Sequence, residues 1–188
     1  MGLGKTIQAA MMINYLFTKY KLRGPFLVVA PLSTLTHWKR EFDGWTDMNA
    51  VVFHGSAESR SIILGYEWHY KKKRKDLYKF NVLISSYEMV MAESSILGKI
   101  HWKYLVVDEG HRLKNKNSKL LSVLKDFTVD HKLLLTGTPI QNNMEELWSL
   151  LNFLEPEKFE SSSDFLRKFG DLKDYDQVQE LHKIIEPY

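Results

Sequence analysis

No cysteine occurs among the 188 residues, which excludes disulfide bonds, thiolate metal sites and a cysteine nucleophile. No apolar run approaches the roughly 18 residues of a membrane-spanning helix, and the first residues carry no basic stretch followed by an apolar signal core. The sequence is therefore expected to be soluble and intracellular, with no membrane partner. A strong excess of one charge is also missing. Lys and Arg number 26 against 23 for Asp and Glu, a net charge of +3 with a pI near 8.9. That balance permits a nucleic-acid partner without demanding one. Apolar residues are plentiful: 44% of the chain is hydrophobic and 13% aromatic, which excludes a disordered chain. At about 150 residues per domain, the length gives one domain with a substantial core.

Apolar runs alternate with helical periodicities, the pattern of an α/β fold in which helices cover both faces of a parallel sheet. Five segments read as strands buried on both faces: Phe26 to Ala30 (FLVVA), Ala50 to Phe53 (AVVF), 82–85 (VLIS), Tyr104 to Val107 (YLVV) and 132–135 (KLLL). A helix from Thr6 to about residue 17 follows a glycine-rich turn. From Ser33, the residues Leu35, Trp38, Phe42 and Trp45 recur at helical spacing. Leu120, Val123, Leu124 and Phe127 form another stripe after a cap candidate at Ser118. Asn143 with Glu146 resembles a capping box ahead of Met144, Leu147, Trp148 and Leu151. Aromatic residues at this spacing are expected to be core, so Trp38, Trp45, Trp102 and Trp148 receive no chemical role. Residues 67–79 read as a long surface loop carrying Lys71, Lys72, Lys73, Arg74 and Lys75. Such a run is usually a solvated face, with nuclear import or an acidic partner as alternatives. Domain organisation is expected to be 1–155 as the main unit and 156–188 as a short, polar helical extension.

Chemistry enters at Met1-Gly2-Leu3-Gly4-Lys5-Thr6. A Gly-x-Gly-Lys-Thr turn opening a helix suits a nucleotide polyphosphate. Gly2 and Gly4, with Leu3 between them, bring backbone N–H groups close to phosphate, and the helix N-terminus adds a positive dipole end. Lys5 reaches the β/γ oxygens and the Thr6 hydroxyl ligates Mg²⁺. The same residues also satisfy the myristoylation pattern M-G-x-x-x-[ST], or a plain glycine turn. Asp108-Glu109-Gly110-His111, directly after the apolar run Tyr104 to Val107, weighs against both alternatives. Carboxylates at the end of a buried parallel strand sit where open α/β sheets bind ligands. Asp108 would hold Mg²⁺, and Glu109 would orient or deprotonate the water that attacks the γ-phosphate. A third segment, Leu135-Thr136-Gly137-Thr138-Pro139, places hydroxyls beyond the last strand, where they would sense the γ-phosphate.

Together these segments resemble the first motor lobe of the Snf2-type helicase-like ATPases. MGLGKTIQ, the APLSTL segment from Ala30 to Leu35, the SSYE segment from Ser85 to Glu88, DEGHRLKN from Asp108 to Asn115 and LLLTGTPIQNN from Leu133 to Asn143 occur in that family's order. GPFLVVAPLSTLTHW, LEPEKF and FGDLKDYDQVQ are similar to the chromodomain-helicase-DNA-binding (CHD) remodelers. The resemblance implies a RecA-like (P-loop) fold and a nuclear, ATP-driven translocase on double-stranded DNA that restructures nucleosomes, with histones as partners. It assigns ATP and Mg²⁺ to Lys5 and Thr6, hydrolysis to Asp108 and Glu109, and coupling to His111, Thr136, Gly137 and Thr138. Ser33, Thr34, Ser85 and Ser86 would contact the sugar-phosphate backbone, which suits a motor that ignores sequence. Gly110 stands where the family often has alanine, a change of little expected consequence. The resemblance also implies a strand before the phosphate loop, an adenine-reading glutamine segment upstream and a second RecA-like lobe supplying arginine fingers. None of these is within residues 1–188, so this chain alone is expected to hydrolyse ATP negligibly. Two alternatives stay open: a translocase of the same type in DNA repair or transcription, and a non-hydrolysing nucleotide- or DNA-binding module. A P-loop kinase or small GTPase has no use for the SSYE and TGTPIQNN segments.

Overall fold

The computed structural model describes residues 4–70, 77–113, 119–137, 144–170 and 175–186. Short runs rich in Val, Leu and Ile form five parallel strands: β1 (Phe26–Ala30), β2 (Ala50–Phe53), β3 (Val82–Ser86), β4 (Tyr104–Val107) and β5 (Lys132–Leu134). Their spatial order is β2-β3-β1-β4-β5. Val29 lies opposite Ser85 on one side and Val107 on the other, and Val107 lies opposite Leu134. The carboxyl ends of β1, β3, β4 and β5 therefore finish along one rim. The connection leaving β1 runs to one side of the sheet and that leaving β4 to the other, which opens a crevice between their ends.

Nine helices surround the sheet among the described residues: α1 (Lys5–Lys19), α2 (Leu35–Trp45), α3 (Ala57–Tyr66), α4 (Tyr87–Ala92), α5 (Ser94–Leu97), α6 (Lys119–Lys125), α7 (Met144–Leu154), α8 (Ser162–Phe169) and α9 (Tyr175–Ile185). Successive strand residues point to opposite faces, and the core divides accordingly. Phe26, Val28, Val82, Ile84 and Val106 pack with Ala9, Ala10 and Ile13 of α1 and with Leu35, Trp38 and Phe42 of α2. Leu27, Val29, Leu83, Leu105 and Val107 pack on the other face with α4, α5 and α6. The expected α/β sheet with helices on both faces is the fold observed.

α7 joins two cores. Leu150 and Phe153 belong to the sheet core, while Leu147, Trp148 and Leu151 pack with Phe159 of the turn after α7 and with Phe165, Phe169 and Leu181 of α8 and α9. The Trp148 indole N–H and the Asn152 amide both donate to the Phe159 carbonyl, at 3.0 and 2.9 Å. The Lys132 ammonium, from β5, donates to the Phe153 carbonyl at 2.8 Å.

Three expectations are corrected. β5 is half-buried rather than covered on both faces, because it stands at the sheet edge and pairs with β4 on one side only among the described residues. Trp45 is 57% exposed: it ends α2, past the stretch of the helix that the sheet covers. Residues 67–79 are not simply a surface loop. Trp68 is buried against Phe53 and Phe80, and His69 bridges to Tyr78. The basic residues Lys71 to Lys75 lie outside the described residues, as do the cap candidates Ser118 and Asn143.

The entry to β1 is held tightly. Gly24 has φ +91°, and a Cβ there would meet the Asn81 main-chain oxygen at 2.6 Å. Gly44, within α2, faces open space, with nothing within 4 Å of where a Cβ would stand. Gly24→Ala is expected to cost about 1–3 kcal/mol through backbone strain. Gly44→Ala is expected to gain about 0.5–1 kcal/mol through helix propensity. Denaturant midpoints moving in opposite directions for the two variants check both.

Candidate functional site

The rim of strand ends gathers the residues that the sequence singled out. Gly4, with φ +68°, turns the chain into α1, a backbone conformation that favours glycine. Lys5 and Thr6 then form the first turn of α1, both partly buried. Gly2 and Leu3 lie outside the described residues.

β4 delivers the two carboxylates. Its apolar residues bury the strand, and Asp108 follows at its end with only 8% exposure. The Asp108 main-chain N–H donates to the Val29 carbonyl of β1 at 2.8 Å. The chain then turns sharply, because Glu109 has φ +51°. A non-glycine residue in the left-handed region costs about 1–3 kcal/mol, strain that clusters at functional positions. Gly110 opens a 3-10 turn, Gly110–Leu113, and its N–H donates to the Leu135 carbonyl at 2.6 Å. The Asp-Glu-Gly bend is thereby fastened to the segment leaving β5. His111 lies in this turn, its side chain outside the described set.

Gly137 shows how closely the parts approach. A Cβ there would lie 3.5 Å from Glu109 Oε1 and 3.6 Å from Lys5 Nζ. One small volume is thus bounded by the ammonium of the glycine-loop lysine, the carboxylate after β4 and the bare backbone after β5. Thr136 is adjacent and partly buried, while Thr138 lies outside the described residues. A cation, a carboxylate and open helix N–H groups around a glycine can receive a phosphate chain and a water beside it.

The donor set fits a Mg²⁺ ion: the Thr6 hydroxyl and the Asp108 carboxylate are oxygen donors, and Mg²⁺ takes one or two such protein ligands with phosphate oxygens and water completing its shell. A cavity of about 770 Å³ opens at the opposite end of the sheet, near Phe17, Arg23, Tyr70, Lys79 and Asn81. None of the residues above lines it.

The SNF2-related domain family matches residues 1–188. The chain belongs to the SNF2-related family. It is 52% identical over 191 residues to chromodomain-helicase-DNA-binding protein 6 of Rattus norvegicus and 51% identical to chromodomain-helicase-DNA-binding protein 8 of Homo sapiens. Each alignment covers 100% of this chain and 7% of the relative, so the chain spans a small part of the length of those proteins. Its fold is similar to the Sulfolobus solfataricus SWI2/SNF2 ATPase core in complex with dsDNA: TM-score 0.81 and 32% identity, over 100% of this chain and 37% of that one. The same organism's ATPase core domain gives a TM-score of 0.75 and 31% identity, over 100% of this chain and 36% of that one. The Snf2-type and CHD resemblances and the RecA-like fold therefore hold.

Within this SNF2-related fold, the four hydroxyl residues expected at DNA divide into two pairs. Ser33 is exposed in the 3-10 turn Leu32–Thr34 that follows β1, and Thr34 is partly buried, its hydroxyl donating to the Pro31 carbonyl at 2.9 Å. Ser85 and Ser86 are corrected: both are 0% exposed. The Ser85 hydroxyl donates to the Phe53 carbonyl at 2.9 Å, and the Ser86 hydroxyl caps α4 by accepting from the Met89 N–H. Their hydroxyls are engaged within the fold at the end of β3.

Two aromatic residues bond to Asp108, and one of them, Trp38, is the core residue that its spacing predicts but has a polar contact that the spacing did not. The Trp38 indole N–H donates to Asp108 Oδ2 at 3.0 Å, and the Tyr87 hydroxyl donates to the Asp108 carbonyl. Trp38 sits in an apolar helical stripe and is indistinguishable from core by spacing. The available signal is chemical, since a buried indole N–H or phenol requires a polar partner.

Gly110 can accept a methyl group. A Cβ there would meet Leu134 Cβ at 3.4 Å and the Leu135 oxygen at 3.5 Å, ordinary contacts. Gly110→Ala is expected to leave stability within about 0.5 kcal/mol of the parent. A thermal melt checks this, and a large loss would show that the bend needs glycine.

Proposed function

We propose that residues 1–188 form the ATP-binding lobe of a DNA-dependent ATPase that translocates along double-stranded DNA and remodels nucleosomes in the nucleus. One observation carries the reading: Lys5, Glu109 and Gly137 meet around one small volume at the strand ends, beside Asp108. The reading is supported by the family, by the CHD relatives and by a similar ATPase core bound to dsDNA.

In this proposal Gly2, Leu3 and Gly4 present main-chain N–H groups to the phosphates of ATP, and Lys5 neutralises charge on the β and γ oxygens. Thr6 and Asp108 would hold Mg²⁺, which when bound offsets phosphate charge. Glu109 accepts a hydrogen bond from the attacking water and takes its proton as the water oxygen bonds to the γ-phosphorus and the bond to the β–γ bridging oxygen breaks, leaving ADP and phosphate. The left-handed bend at Glu109 aims its carboxylate past the strand end toward Lys5 and Gly137. Thr136, Gly137 and Thr138, with His111, sense whether the γ-phosphate is present. Their link to Gly110 through Leu135 passes that state between the strand ends.

Ser33 and Thr34 meet the DNA backbone, a contact that carries no sequence information. Residues 156–188 extend toward a second RecA-like lobe, which supplies the arginine fingers that turnover requires. Histones enter as partners through the nucleosome.

The test is Glu109→Gln in the complete two-lobe motor. The amide keeps the size of the side chain and cannot take the proton. DNA-stimulated hydrolysis is expected to fall by about 10²–10⁴-fold while ATP binding is preserved. Retained turnover rejects Glu109 as the base, and an unmodified motor that binds ATP without hydrolysis would support a non-hydrolysing module instead.

A further inference from the structure

Four hydrogen bonds hold Asp108 among the described residues, and one of them reaches its carboxylate from a distant element. Its main-chain N–H is fixed by the Val29 carbonyl at 2.8 Å and its carbonyl by the Tyr87 hydroxyl. Oδ1 accepts the neighbouring Glu109 N–H at 2.9 Å, a bond internal to the bend. Oδ2 accepts the indole N–H of Trp38, 70 residues away in sequence, at 3.0 Å. With the main chain pinned, the carboxylate can vary only by rotation about its side-chain bonds, and the indole fixes that rotation together with the adjacent Glu109 N–H.

The origin of the indole matters. Trp38 lies in the first turn of α2, and α2 follows without a break from the exposed 3-10 turn Leu32–Thr34. No hinge separates Ser33 from Trp38: the Thr34 N–H and hydroxyl both close on the Pro31 carbonyl at 2.9 Å. The indole is fully buried and stacks on Phe42, with ring centroids 6.2 Å apart. Close-packed interiors transmit displacement instead of absorbing it. For packing alone a benzene ring would serve, yet here the ring's one polar atom is aimed at a carboxylate of the candidate site.

We propose that Trp38 is a positioning residue that couples DNA contact at Leu32–Thr34 to the orientation of the Asp108 carboxylate. This rests on the function proposed above and deepens it by naming the route between the two ligands. A ligand seated on the turn fixes the start of α2, α2 fixes the indole, and the indole N–H fixes Oδ2. Binding of DNA and of the Mg²⁺-nucleotide are then linked, each altering the affinity for the other by the same factor.

The experiment replaces Trp38 in the complete motor in two ways: Trp38→Phe, and substitution by β-(3-benzothienyl)alanine, which keeps the bicyclic shape and puts sulfur in place of the N–H. Three quantities are read: dsDNA affinity by anisotropy, the Mg²⁺ concentration for half-maximal nucleotide binding by calorimetry with and without DNA, and the stimulation of hydrolysis by DNA. Both variants are expected to bind DNA within about two-fold of the parent and to require several-fold more Mg²⁺. The effect of DNA on the Mg²⁺ requirement is expected to shrink by at least about five-fold, the lower end of ordinary coupling between binding sites, and DNA stimulation of hydrolysis is expected to fall with it. A benzothienyl variant with the parent's Mg²⁺ requirement and DNA stimulation overturns the proposal, even if Trp38→Phe is less stable, because packing alone would then explain the residue. A raised Mg²⁺ requirement with unchanged DNA stimulation also overturns it, since Asp108 would be positioned without being coupled. An unmodified motor that shows no Mg²⁺-nucleotide binding or no DNA stimulation instead removes the underlying functional reading.

Discussion

The main chain at the end of β4 is the constraint on which the rest of the site depends. Asp108 is buried at 8% exposure, anchored to β1 through Val29 and to α4 through Tyr87. The next residue bends into the left-handed region, and the one after it is tied to the chain leaving β5. Three strands thus determine where two carboxylates sit. A buried carboxyl group requires hydrogen-bond partners, and here donors come from the adjacent backbone and the Trp38 indole. Because the Trp38 indole belongs to α2, the position of the carboxylate depends on the packing of α2 as well as on the end of β4.

The parallel sheet explains why those elements meet at one rim. Both faces of β1, β3 and β4 are buried, which accounts for nearly continuous apolar runs in place of alternation. Parallel pairing in register sends every strand end to the same side, so residues as distant in sequence as Lys5 and Gly137 become neighbours. The far end of the sheet has a cavity and none of this chemistry. On the flank of the sheet, α7 divides its residues between the sheet core and the C-terminal cluster. Phe159, as acceptor for both Trp148 and Asn152, fixes the joint between them.

Much of this was legible in the sequence because it rests on local signals. The strand runs, the glycine turn before α1 and the Asp-Glu pair after an apolar run each act within a few residues. What was not legible depends on three-dimensional partners. Ser85 and Ser86 looked available for a ligand, but their hydroxyls satisfy β2 and α4, a demand visible only once those elements are adjacent. The 67–79 segment looked exposed because its lysines dominate it, while Trp68 and Tyr78 at its ends are drawn into an aromatic cluster with Phe80. Trp45 and Trp38 share one helical stripe and differ in fate, since α2 leaves the sheet before Trp45. Spacing identifies a face; it does not show where the face ends or which ring nitrogen meets a carboxylate.

Every role proposed for the strand ends depends on whether the volume bounded by Lys5, Glu109 and Gly137 receives the phosphates of ATP. The most direct measurement is a calorimetric titration of Mg²⁺-ATP into the complete motor without DNA, beside the Lys5→Ala variant. A lysine bonded to phosphate contributes a charge-assisted interaction, so its removal is expected to weaken binding by about 10- to 100-fold, with the melting temperature of the nucleotide-free protein unchanged. Equal affinity in the two proteins would contradict the assignment, because the nucleotide would then be bound somewhere other than at the ends of these strands.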